Sequence, residues 1–220
     1  MELLEGIETR RSIRGFKGTP VSEDTIRRIL QIAKHSPSYT NTQPWEVAVV
    51  MGKKRDELSK ILYDLAHSAV RGNPDTPSPA YWPAELDKRS KEHGARRFAA
   101  LGVARDDTVL RTEMRLTNFK FFGAPCVLFL FMEDKLGAWS TFDMGSFAQS
   151  IALAAHGLGL GTCMQAALTA YPDAIRACLG ISNEKKLMLG MSLGYPDPAA
   201  KLNSYRSTRM NVDDFARWWN

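Results

Sequence analysis

A chain of 220 residues, 44% hydrophobic and 24% charged, can bury one substantial core without disulfides or metals, and that composition excludes a disordered chain. The net charge of +5 is spread over Lys and Arg residues that alternate with acids, without the sustained basic stripe of a nucleic-acid binder, so no nucleic-acid partner is expected. The longest apolar run, 127–132, is far short of the roughly 20 residues that cross a bilayer. Residues Glu2 and Glu5 also break the basic-then-apolar order of a signal peptide. Cys126, Cys163 and Cys178 form no CxxC pair, which points to reduced thiols and a cytoplasmic protein with no membrane partner.

In chain order, 22–35 carries apolar residues at helical spacing (Ile26, Ile29, Leu30, Ile32, Ala33), with Ser22 as N-cap and Pro37 as stop. The β-branched run 46–51 predicts a buried strand, followed by a charged helix over about 55–68. The proline-rich stretch 73–83 reads as a surface loop, and helices are expected at 84–101 and 106–119. After Pro125, 126–132 predicts a second buried strand. A long helix over 141–156 stops at Gly157, Gly159 and Gly161. Residues 161–164 predict a short strand, 172–179 a short helix and 186–194 a fourth strand. Strands alternating with helices imply one α+β (α/β-like) domain over 1–220, a sheet flanked by helices. The cluster G157-L-G-L-G161 follows a helix and enters a strand, the reverse of the order a dinucleotide pyrophosphate turn needs.

Two segments carry chemistry. In R10-R-S-I-R14 three guanidiniums and a hydroxyl occur within five residues, and Arg10, Ser12 and Arg14 share one face of an extended chain, so they can converge on a phosphate. The alternative is a solvated basic patch. The loop S36-P-S-Y-T-N-T-Q-P-W45, between a helix and a strand, displays Ser38, Tyr39, Asn41 and Gln43 as donors and acceptors for a polar heterocycle; the alternative is a turn that only punctuates the chain. Trp45 and Phe16 border apolar runs and read as core. The four histidines occur singly and no GxSxG elbow is present, so metal and nucleophilic catalysis are not expected.

The order R10-R-S-I-R-G-F, S36-P-S-Y-T-N-T-Q-P-W-E, F121-F-G-A-P, G157-L-G-L-G-T-C-M-Q-A, S192-L-G-Y-P and R206-S-T-R209 resembles the nitroreductase family of FMN-dependent oxidoreductases, from about residue 7 to 209. The resemblance implies a mostly antiparallel sheet of four to five strands in an intertwined homodimer, with two FMN molecules at the subunit interface. It implies that Arg10, Arg11, Ser12 and Arg14, with Arg206 and Arg209, lie on the phosphate side. Pro37, Ser38, Tyr39, Asn41 and Gln43 would reach the flavin from the partner subunit. Asn118 would meet the flavin ring, and the backbone of Met164, Gln165 and Ala166 would approach N5, where a preorganised N–H stabilises developing charge. Many relatives carry Glu where Gln165 stands. FMN rather than a protein side chain would be the reactive group, with NADH or NADPH as co-substrate and a small electron-poor acceptor, a nitroaromatic or quinone, taking its place in one pocket. Residues 71–117 would form a variable helical lid, with Phe98 and Tyr39 facing substrate. The same resemblance leaves open an ene-reductase, a reductive dehalogenase, a flavin-consuming enzyme or a non-catalytic FMN-binding module.

Overall fold

The computed structural model describes residues 2–220. Its elements in chain order are α1 (Leu3–Thr9), α2 (Glu23–Ala33), β1 (Glu46–Met51), α3 (Gly52–His67), α4 (Ala84–Leu101), α5 (Thr108–Leu116), β2 (Cys126–Glu133), α6 (Ala138–Gly157), β3 (Gly161–Gln165), α7 (Pro172–Leu179) and β4 (Lys185–Gly194). The strands form one sheet in the order β1-β2-β4-β3, antiparallel throughout.

Strand β2 reads as an unbroken apolar run because both of its faces are covered. Successive side chains point to opposite sides of a strand, so Val127, Phe129 and Phe131 face Leu58 and Leu62 of α3 and Ile175 of α7. Cys126, Leu128, Leu130 and Met132 face Ile26 and Ile29 of α2 and Phe147, Ile151 and Ala155 of α6. The result is a sheet between two helical layers.

Three expectations need correction. The strand at 46–51 is an edge strand rather than a buried one: β1 pairs only with β2, and of its residues only Val50 is fully buried. The helix expected at 106–119 ends at Leu116, because 117–123 wind into turns with positive φ at Phe121 and Phe122. Ile32 falls on the flank of the α2 stripe and is exposed. Helix α1 gave no sequence signal, since it buries only Gly6 and turns Leu3, Leu4 and Ile7 outward.

The proline-rich loop is pinned at its start. Arg176 of α7, 6% exposed, forks onto Asp75, and Asn73 donates to Asp173 at 2.7 Å. Farther on, α4 and α5 bring Arg97, Phe98 and Arg111 to one pocket with Asn118, which Gln165 at the end of β3 holds.

Candidate functional site

Residues 10–16 run beside β3. Ser12 bridges Thr162 in parallel register, the Ile13 N–H donates to the Thr162 carbonyl at 2.8 Å, and Phe16 bridges Pro196. Ile13 and Phe16 are driven into the core, which leaves Arg10, Arg11, Ser12 and Arg14 half-buried around a pocket of about 320 Å³. Gly161 permits this approach: a Cβ there would lie 2.5 Å from Ile13 Cγ1.

The C-terminal segment completes the same pocket with Tyr205, Arg206 and Arg209, and α4 adds His93. Five arginines from two blocks nearly 200 positions apart therefore meet, with Glu8 the only carboxylate in the lining. Among the described residues none of the five forms a salt bridge, and Arg10 Nε is buried without a hydrogen-bond partner. Burial, and then Arg209, lower the Arg10 pKa; burial and then Arg206 lower that of Arg11. His93 is held below the ordinary histidine value by burial and by the neighbouring arginines, Arg14 foremost. Each direction means that positive charge is under-compensated here, the electrostatics of a site built to take an anion.

Asn203 fixes the arginine segment to the C-terminal one. Its Oδ1 accepts from the Arg14 backbone N–H at 2.7 Å, its Nδ2 donates to the carbonyls of Gly15 and Asp197 at 2.8 and 2.9 Å, and its own carbonyl accepts from Arg11 Nη1 at 3.0 Å. This residue, like His93 and Tyr205, left no pattern in the sequence. Asn203→Ala leaves the part-buried Arg14 N–H without its acceptor and takes one of two donors from each of the Gly15 and Asp197 carbonyls, so thermal or urea unfolding should register a loss of about 1–3 kcal/mol, with weaker anion retention. An unchanged unfolding midpoint would remove Asn203 from this role.

A second pocket, about 500 Å³, lies at the end of β3 and is lined by α4, α5 and Asn118. Phe98 and Asn118 both reach it. Arg97 stands between the two pockets: it lines the second, while burial and then Arg14 of the first lower its pKa. Gln165 is buried, its Oε1 accepting from Ser192 Oγ and its Nε2 donating to the carbonyl and Oδ1 of Asn118 at 3.1 and 3.3 Å. The Gln165 amide is thus spent on holding Asn118, a task that uses both its donor and its acceptor and that a carboxylate could not perform in full. Met164 is half-buried and packs on the core, and Ala166 is exposed at the strand end.

The loop after α2 is set in a fixed shape. Ser36 Oγ donates to the Ala33 carbonyl, the Gln43 N–H donates to Ser38 Oγ at 3.0 Å, and the Tyr39 N–H donates to buried Asp143 on α6 at 3.1 Å. Thr40, Asn41 and Gln43 all take positive φ, a conformation that costs L-residues free energy and that the surrounding contacts must hold. Tyr39 is exposed and stacks on Trp139 at 5.7 Å.

One chain does not bring this loop to the arginines. The loop sits on α6 at Asp143, whereas the arginine segment meets α6 at His156, where Thr9 Oγ1 and His156 Nε2 lie 2.9 Å apart. Thirteen residues of helix separate these points, about 20 Å at 1.5 Å per residue. The two sets of polar groups singled out in the sequence lie at opposite ends of one helix. Among the described residues no group of three His, Cys, Asp or Glu side chains is placed to hold a metal ion, and no helix is long and apolar enough to cross a membrane.

Comparison with known proteins gives a consistent picture. The model of the nitroreductase family matches residues 7–195. The nitroreductase NfnB of Mycolicibacterium smegmatis is 39% identical over 96% of this chain and 90% of its own length. A 4-nitrobenzoate reductase of Pseudomonas putida is 32% identical over 96% of this chain and 93% of its own. Among solved structures, that of the FMN-dependent nitroreductase NfnB from Mycobacterium smegmatis in complex with NADPH superposes with a TM-score of 0.94 at 37% identity, covering 99% of this chain and 97% of that one.

Proposed function

The chain belongs to the nitroreductase family, and from that premise we propose that it is an FMN-dependent oxidoreductase passing reducing equivalents from NADH or NADPH to a nitroaromatic or similar electron-poor molecule. The observation that carries this reading is the group of five unpaired arginines with Ser12 around one pocket, including the orphaned Arg10 Nε. A phosphate monoester supplies the charge and the acceptor oxygens these donors lack. Arg10, Arg11, Ser12, Arg14, Arg206 and Arg209 hold the FMN phosphate. The backbone of Met164, Gln165 and Ala166 and the side chain of Asn118 lie toward the isoalloxazine, with Phe98 on the acceptor side.

The remaining contacts come from a second copy. The loop bearing Pro37, Ser38, Tyr39, Asn41 and Gln43 is rigid but distant from the arginines of its own chain, and a homodimer that presents one copy's loop to the other's arginines completes two equivalent sites. The apolar groups left exposed in one chain support this assembly: Leu3 and Leu4 on α1, Trp139 and Phe142 on α6, and Phe215, Trp218 and Trp219 near the C-terminus are each more than 60% exposed.

When bound, FMN supplies a carrier that can take up and release two electrons with a proton, which no side chain in the site offers. Net chemistry for a nitroarene is NAD(P)H + H⁺ + ArNO₂ giving NAD(P)⁺ + ArNO + H₂O. The protein's part is to anchor the phosphate, orient the ring through β3 and Asn118, and cover the acceptor with α4 and α5. Under anaerobic conditions FMN-loaded protein should oxidise more than one equivalent of NADH or NADPH per bound FMN only when a nitroaromatic or quinone is supplied. FMN uptake without acceptor-dependent turnover on a panel of nitroarenes, quinones and enones would instead identify a binding module.

A further inference from the structure

The pocket beside Asn118 has a composition that holding a flavin does not require. Helix α5 turns Thr108, Arg111, Thr112 and Arg115 into it, positions i, i+3, i+4 and i+7 on one helical face, while Glu113 falls outside the lining. Helix α4 adds Arg97 and Phe98. Arg111 is already oriented: its guanidinium lies 4.4 Å over the Phe98 ring, and its Nη1 donates to the Arg105 carbonyl at 2.8 Å. Neither Arg97 nor Arg115 pairs with a carboxylate among the described residues, although on the other faces of α4 Lys91 pairs with Asp87 and Arg96 with Glu92. Arg97, Arg111 and Arg115 thus line the pocket without a carboxylate partner, and they stand with two hydroxyls, an aromatic ring and Met114 around a space of small-molecule size.

We propose that this pocket selects acceptors bearing an anionic group, a carboxylate on the aromatic ring being the class that fits. The carboxylate is taken by Arg111 and Arg115 with the hydroxyls of Thr108 and Thr112, the ring lies along Phe98, and the reducible group points toward Asn118. Guanidinium forks match carboxylate geometry, which makes this recognition specific rather than a general attraction of charge. The inference rests on the FMN oxidoreductase reading of the adjoining site. The 2′-phosphate of NADPH offers related chemistry, and the test has an arm for it.

FMN-loaded wild type is compared with Arg115→Gln and with Arg111→Gln/Arg115→Gln, using 4-nitrobenzoate and nitrobenzene as acceptors, NADPH and NADH as donors, and calorimetric titration with benzoate, which is not reduced. The double variant should raise the KM for 4-nitrobenzoate and the Kd for benzoate at least tenfold, with Arg115→Gln intermediate. The KM for nitrobenzene and the NADPH to NADH preference should stay within twofold. Equal losses for the two acceptors, or benzoate binding indifferent to both variants, would overturn the proposal. So would an effect confined to NADPH against NADH, which would give the pocket to the 2′-phosphate. Wild-type protein that binds benzoate through these arginines but reduces neither acceptor would contradict the oxidoreductase reading and leave the carboxylate site supported.

Discussion

Replacing Arg10 and Arg209 together by alanine will raise the FMN dissociation constant by about a hundredfold or more while leaving the apoprotein at least as stable as wild type. The two effects have opposite signs because the same charges act differently in the two states. Without an anion, Arg10 is partly buried, its Nε has no partner and Arg209 repels it, so deleting both relieves an unfavourable arrangement. With a phosphate in place, each charge-assisted hydrogen bond contributes about 1.5–3 kcal/mol, and two of them account for two or more factors of ten. Fluorimetric FMN titration and urea unfolding of the apoprotein measure the two sides separately. A variant that binds FMN normally, or that fails to fold, would contradict the assignment. The proposed homodimer with a site shared between copies adds a further expectation: mixed dimers of this variant with one altered in the 37–43 loop regain one working site of two, whereas either variant alone has none.

The second large effect concerns the pinned loop. Arg176→Met should cost about 3–5 kcal/mol of stability, the range found when one partner of a buried ion pair is removed and the other left behind. Arg176 bonds both oxygens of Asp75, at 2.7 and 3.2 Å, and reaches Asp173 and the Lys185 carbonyl. Asp75 in turn accepts from the Leu187 N–H of β4 at 2.7 Å, so the loop, α7 and the sheet share one network. Arg176→Lys should recover only part of the loss, because an ammonium cannot fork onto two oxygens. Hydrogen bonds from Asn73 and Arg176 hold the Asp173 carboxyl below the usual carboxylate range, so its contribution is present above that range and is lost as pH falls through the lowered folded-state value. A change under about 1 kcal/mol for Arg176→Met would show that the loop leading to α4 is held by other contacts.

Most of the fold could be read from residue patterns, and the misses have definite causes. The runs at 84–101 and 172–179 became α4 and α7 with those limits, because alanine-rich and proline-initiated segments mark helices locally. Strand β1 looked buried because β-branched composition does not distinguish a central strand from an edge. Helix α1 was invisible since it has almost no buried face within one chain. At the site, the arginine block announced itself by density of charge, and the polar loop by its composition and position. His93, Tyr205 and Asn203 did not, being single residues far from the block and brought to it only by tertiary structure. Arg97 was hidden for the same reason, in a helix rich in exposed charges, and its half-burial beside Arg14 distinguishes it. The reason Gln165 suits its position also lies outside the sequence pattern, in the donor and acceptor it uses to hold Asn118.

The most direct test of the account is a pair of anaerobic half-reactions on protein loaded with FMN. One equivalent of NADPH or NADH should bleach the yellow absorbance, and one equivalent of a nitroaromatic added afterwards should restore it, at rates no slower than steady-state turnover. A chain that takes up no FMN, a colour that neither nicotinamide discharges, or a bleached protein that neither nitroarene nor quinone reoxidises would contradict it.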